Sequence, residues 1–166
     1  MANKKLSVYQ FKVILLDTNP PIWRRIQVTN NITLSRFSAI LLTVMGWNGG
    51  HLHELQIGGK DYGIPNEEFE GSKSIIDEKT VRLRDLSESD LKRFMFVYDF
   101  GDGWEHEIVL EQVLEPENDV NPICLDGARN CPPDDCGGAG GYEDFLAAIR
   151  IRLPSKSSTT AALSPS

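Results

Sequence analysis

Two strand-like stretches, the nearly all-apolar FMFVYDF (94–100) and the more alternating WEHEIVLEQVL (104–114), meet at Gly101-Asp102-Gly103. Aromatic and β-branched residues mark both as strands, and a glycine-flanked turn between them makes an antiparallel hairpin. Phe94, Phe96, Tyr98 and Phe100 share one face; Trp104, His106, Ile108 and Leu110 share another. A ribbon this rich in aromatic residues cannot stand alone in water and needs further strands and a covering helix.

Both are present in the pattern. SVYQFKVILL (7–16) and IWRRIQV (22–28) read as strands joined by a short turn at Asn19-Pro20-Pro21, a second antiparallel hairpin. In the latter, Ile22, Arg24, Ile26 and Val28 lie on one face. TLSRFSAILLTVMGW is the clearest helix: Leu34, Phe37, Ile40, Leu41, Val44 and Met45 form one stripe, Thr33 can cap its start and Gly46 can stop it. HLHELQIGG is a third strand with His51, His53, Leu55 and Ile57 on one face. Lys60 to Thr80 reads as a polar surface excursion, TVRLRDL as a short strand or strand end and SESDLKRF as a helical turn or two. GYEDFLAAIRIRL is a last helix with Tyr142, Phe145, Leu146 and Ile149 as its stripe. The expectation is a single α+β domain over residues 1–153, a mixed or antiparallel sheet with helices packed on one face. The Ser/Thr-rich residues 154–166 are expected to be a disordered tail.

Charge narrows the function classes. The net charge is −7, and no Lys or Arg occurs from Phe94 to Ala128. That argues against non-specific binding to a nucleic-acid backbone, which runs on clustered cations. The N-terminus lacks the apolar run of a signal peptide, and no apolar stretch is long enough to span a membrane. Three cysteines without an export signal point to a reducing cytoplasm.

The residues with chemistry fall in three short segments. YDFGDGWEH (98–106) is either a tight hairpin with incidental side chains or one wall of a site. HLH places His51 and His53 on the same side of a strand, with Cβ atoms roughly 6–7 Å apart; a shared metal or chance both explain that. In CLDGARNCPPDDCGG, Cys124, Cys131 and Cys136 lack the paired spacing of zinc ribbons, yet thiolates plus imidazoles can complete a tetrahedral zinc site. The alternatives are a buried free thiol or a Pro-rich loop that stiffens the surface. A loop so rich in Cys, Pro and Gly needs something to tie it down. GGAGG (137–141) precedes the last helix without the Lys-Ser/Thr of a phosphate loop, so close backbone packing or a hinge is its better reading.

PPIWRRIQV, the helix ending in Gly46-Trp47, HLHEL, YDFGDGWEHEI and CLDGARNCPPDDCGGAGGYEDF together resemble the plasmid pRiA-type Orf-3-like family, also labelled passenger TnpR-like proteins of an insertion element. The resemblance runs from about Val8 to Ile149 and implies a single α+β domain without an established activity. Asp134 stands where the family usually has Glu. Members commonly continue past the last helix with a His-containing acidic segment, where this chain has IRLPSKSSTTAALSPS.

The expected site is a polar cleft formed by His51, His53, Tyr98, Asp99, Asp102, Trp104, His106 and Asp135. His53, His106, Cys131 and Cys136 are the candidate ligands for zinc or another divalent ion. The first functional reading is a binding module of plasmid or mobile-element type with a polar His/Asp/Cys cleft, for which a divalent metal is the candidate ligand. The alternatives are a metal-dependent hydrolase and an acidic domain that docks a basic protein partner.

Overall fold

The computed structural model describes residues 4–66, 68, 73–117 and 122–152. Its strands are β1 (Val8–Leu15), β2 (Ile22–Thr29), β3 (His53–Ile57), β4 (Lys60–Gly63), β5 (Ile75–Asp77), β6 (Arg93–Tyr98), β7 (Trp104–Leu114) and β8 (Ile123–Ala128). They form one sheet in the order β5-β4-β3-β6-β7-β1-β2-β8. The β4–β5 pair is parallel and the other pairs are antiparallel. The helices are α1 (Leu34–Met45), α2 (Glu88–Leu91) and α3 (Gly138–Arg152).

One sheet face carries the core. Alternation puts Tyr9, Phe11, Val13 and Leu15 of β1 beside Ile22, Ile26 and Val28 of β2. Phe94, Phe96 and Tyr98 of β6 and Trp104 and Ile108 of β7 extend the same surface. The α1 stripe covers it through Leu34, Phe37, Ile40, Leu41 and Met45. Local signals set this helix as expected: the Thr33 hydroxyl accepts from the Arg36 N–H, and Gly46 ends it in the left-handed region. Among the described residues no helix is long and apolar enough to cross a membrane.

Five regions differ from the sequence reading. The excursion from Lys60 to Thr80 contains β4 and β5. A tight turn at Gly58-Gly59, both at positive φ, folds β4 back on β3. TVRLRDL forms one isolated antiparallel bridge, Arg82 to Thr33, and then a 3₁₀ turn over Leu83–Asp85. The Cys/Pro/Gly region begins with β8, an exposed edge strand paired to β2. Phe100 leaves the aromatic face and is exposed, because Asp99 adopts φ +56 and ends the alternation at Tyr98. The α3 stripe is only partly used: Tyr142 is buried, whereas Phe145 and Ile149 are exposed. The expected disordered tail, 154–166, lies outside the described residues.

Candidate functional site

The turn between β6 and β7 is organised by one carboxylate. Asp99 Oδ1 accepts from the N–H groups of Gly101 (3.1 Å) and Asp102 (3.3 Å), and its carbonyl accepts from Gly103 N–H at 2.6 Å. Asp tolerates the left-handed backbone this requires, since its short side chain bonds locally. Asp99 N–H donates to Leu52 O at 2.8 Å, which stitches the turn to the segment carrying His51. The second oxygen, Oδ2, lies 3.6 Å from His51 Nε2.

A strap over residues 129–137 crosses this turn and is tied at several points. Arg24, projecting from β2, donates all five of its N–H groups to neutral acceptors. They are the carbonyls of Trp23, Val44, Ala128 and Arg129 and the Cys131 sulfur. Trp47, just past the end of α1, donates from Nε1 to Pro132 O at 2.9 Å. The Tyr98 hydroxyl donates to Asp134 Oδ1 at 3.0 Å; burial, with help from the Asp134 charge, pushes its pKa up to about 12 and keeps it a donor. Asp102 Oδ2 accepts from Gly137 N–H at 3.2 Å, which puts a carboxylate at the positive end of α3. Tyr142 donates from its hydroxyl to Asn130 O at 3.2 Å. So anchored, the strap holds Asp135 at φ +58, with Oδ1 3.0 Å from His51 Nε2.

Substituting Trp47→Phe removes one buried hydrogen bond to the strap and part of the indole packing against Tyr98, Trp104 and His106. The expected loss is about 2–3 kcal/mol, read from urea unfolding, together with faster amide exchange at residues 131–135.

The two histidines of HLH do face the same way, and they take different partners. His51 meets Asp99 and Asp135. His53 Nε2 lies 3.0 Å from both oxygens of buried Glu78, and Ser38 donates to Glu78 Oε2 at 3.0 Å. His106 is sealed in the core. Its Nδ1 sits 3.0 Å from Phe96 O, and its Nε2 has no partner among the described residues. Burial lowers its pKa to about 4, partly opposed by the carbonyls of Phe96 and Trp104, so the ring is neutral. Trp104 is buried beside Trp47, and its Nε1 is likewise unpartnered among the described residues.

The structure therefore does not gather His53, His106, Cys131 and Cys136 into one ligand set. Cys131 lies against Arg24 and the Met45 sulfur. Burial raises its thiol pKa, with Arg24 opposing; burial and the neighbouring Asp102 raise that of Cys136. Cys124 is exposed on β8. Among the described residues, the His, Cys, Asp and Glu donors close enough to share one ion are His51, Asp99 and Asp135, all within 4.8 Å of one another. Of the expected cleft residues, Tyr98 and Asp102 hold the strap, while Trp104 and His106 form the packed layer beneath.

Arg24, Trp47, Glu78 and Asp134 carry parts of this arrangement and stand outside the expected site. The one local hint was Arg24 itself, a cation at a core-facing position of β2, which demands buried acceptors.

Comparison with known proteins agrees with this architecture. The family pattern described as "Plasmid pRiA4b ORF-3-like protein" matches residues 7–162. The uncharacterized protein y4hQ of Sinorhizobium fredii is 36% identical over 143 residues, which cover 86% of this chain and 73% of that one. The crystal structure of MM3350 from Methanosarcina mazei Go1, a protein of unknown function, superposes with a TM-score of 0.78 at 33% identity, covering 89% of this chain and 83% of that one. Motifs, fold and relatives coincide over nearly the whole chain, and it belongs to the plasmid pRiA4b ORF-3-like family.

Proposed function

We propose that this protein is a cation-binding module that holds one divalent metal ion between His51 Nε2, Asp99 Oδ2 and Asp135 Oδ1. The observation that carries this reading is the convergence of these donors amid uncompensated acid. Asp99, Asp102, Asp134 and Asp135 crowd one turn and one strap, and among the described residues none of them pairs with Lys or Arg. One imidazole, even protonated, supplies a single positive charge. Carboxylates held this close favour a cation between them. The mixed nitrogen and oxygen donor set suits zinc, manganese or another first-row divalent ion. Asp99 and Asp135 both occupy the left-handed backbone region, a cost that the surrounding hydrogen bonds sustain.

Chelator-treated protein is expected to take up about one equivalent of Zn²⁺ or Mn²⁺. At roughly a hundredfold excess over Kd, the ion raises the melting temperature by about 5–10 °C. Asp99→Asn retains the turn acceptor and removes the charge, so it keeps the fold and loses the metal; His51→Ala also loses it. A metal-free preparation that gains no thermal stability from any divalent ion, and binds no more than the Asp99→Asn variant, defeats the proposal.

A second reading, metal-dependent hydrolysis, is favoured by one observation. Asp135 leaves 75% of its side chain exposed, and a three-donor set leaves coordination positions for water or substrate. It predicts turnover of a phosphoester or peptide that vanishes in Asp99→Asn; metal uptake without turnover leaves the binding module.

A further inference from the structure

A separate cavity of about 410 Å³ opens at the β3–β4–β5 edge of the sheet. Glu54 alternates with core-facing His53 and Leu55, so it projects on the face away from α1. Its carboxylate lines this cavity together with Lys73, and Leu52, Ile64, Ile75 and Phe100 supply apolar walls. Leu52, Ile64 and Phe100 are large apolar side chains that line it while left 44%, 53% and 55% exposed. The volume falls in the range of small-molecule pockets.

The polar groups define what fits. The Glu54 side chain is only 10% exposed. Its Oε1 accepts from Gln56 Nε2 at 2.9 Å and from Lys73 Nζ at 2.6 Å, and its Oε2 takes no partner among the described residues. Lys73 Nζ also lies 3.2 Å from Asp61 Oδ2. Two carboxylates thus share one ammonium, and that ammonium belongs to a side chain 47% exposed to water. Glu54 is the buried partner and Lys73 the half-exposed one, so the ammonium is the member of the pair that can move out into water. Lys73 itself is a primary ammonium on an aliphatic chain, with its head on the carboxylates at the lining of this cavity.

We propose that this cavity is a binding site for a small organic ammonium ion with an apolar body, taken by Glu54 in place of Lys73. An anion is disfavoured, because Lys73 is already outnumbered by Glu54 and Asp61. A wholly apolar ligand is disfavoured too, because it strips water from the Glu54 carboxylate without replacing the hydrogen bond. An ammonium satisfies that carboxylate, and Phe100 adds an aromatic wall to the same cavity. The proposal does not depend on the cation site at His51.

The test uses the full chain in chelator and compares 2-phenylethylammonium with its neutral isostere 2-phenylethanol and with 3-phenylpropionate, by calorimetry or ligand-observed NMR. The amine is expected to bind at least about tenfold more tightly than the alcohol, with no binding of the acid. Lys73→Met removes the competing ammonium and tightens the amine about tenfold, while Glu54→Gln removes the preference for amine over alcohol. Equal binding of amine and alcohol by the wild type and Lys73→Met overturns the proposal. So does a preference that survives Glu54→Gln, or the absence of amine binding to either protein. Should Glu54→Gln fail to fold, the Lys73→Met comparison still decides, since that residue is half-exposed.

Discussion

Gly141→Ala is expected to destabilise the protein by about 3 kcal/mol and to release the strap from His51. A Cβ added at Gly141 falls 1.9 Å from Cys136 O and 2.8 Å from its carbonyl carbon, far inside contact distance. Both obstructing atoms are backbone, so no rotamer change relieves the overlap. The chain at Cys136 folds back over the first turn of α3, and Gly141 N–H donates to Gly137 O at 3.3 Å in the same turn. Something must move, and Asp135 is the next residue along the strap. Its 3.0 Å contact with His51 is therefore expected to lengthen, weakening metal uptake along with stability.

The neighbouring Gly140 supplies the control. Nothing lies within 4 Å of its added Cβ. Gly140→Ala is then expected to be neutral or to stabilise by up to about 1 kcal/mol, because alanine loses less entropy than glycine in a helix. Opposite signs at adjacent positions of one helix, measured as urea midpoints at unchanged m-value, isolate the close approach from helix propensity. If Gly141→Ala melts with the wild type, the packing of strap on helix is not as described.

How much of this could be read from residues alone depends on how local each cause is. The α1 stripe, its Thr33 cap and its Gly46 stop are all encoded within one helix, and they were legible. The hairpins at Asn19-Pro20 and at Gly101-Asp102-Gly103 were equally so. β4 and β5 were not, because KDYG and IID carry no alternation, although Gly58-Gly59 between β3 and β4 was an available turn signal. β8 became a strand through its pairing with β2, a partner about a hundred residues away, and no property of ICLDGA predicts that. The site divides the same way. Periodicity placed His51 and His53 on one side, but the carboxylates that separate them come from Asp99, Asp135 and Glu78 in three other segments. Glu78 lies in a stretch whose polarity reads as surface, and burial against Ser38 and His53 overrides that reading. His106 shows the limit most clearly. A core-facing strand position suits either a ligand or a packed ring, and the choice was made by Phe96 and Trp47, which tertiary structure brings around it.

That packed ring makes stability depend on pH with a definite sign. In the unfolded chain the His106 imidazole binds a proton near pH 6.5; folded, burial lowers this to about 4. Between those values the unfolded state holds more protons, so acid favours unfolding. The stability that His106 contributes as a neutral ring is complete above about pH 6.5, declines as the pH falls, and is gone near pH 4, a total of about 3 kcal/mol. Nδ1 carries the hydrogen, since the Phe96 carbonyl can only accept, and Nε2 is left as a bare acceptor with no partner among the described residues. Protonating Nε2 would bury an uncompensated charge among Trp47, Phe96 and Trp104. The measurement is urea unfolding at pH 7 and pH 4.5 for the wild type and for His106→Asn, which keeps a donor for Phe96 O and does not titrate. Carboxylates and the other two histidines contribute to both proteins and cancel in the difference. The wild type is expected to lose about 2–3 kcal/mol more than the variant over that interval. Equal losses would mean that the imidazole reaches water or a proton acceptor in the folded state, and the sealed aromatic layer beneath the strap would have to be redrawn.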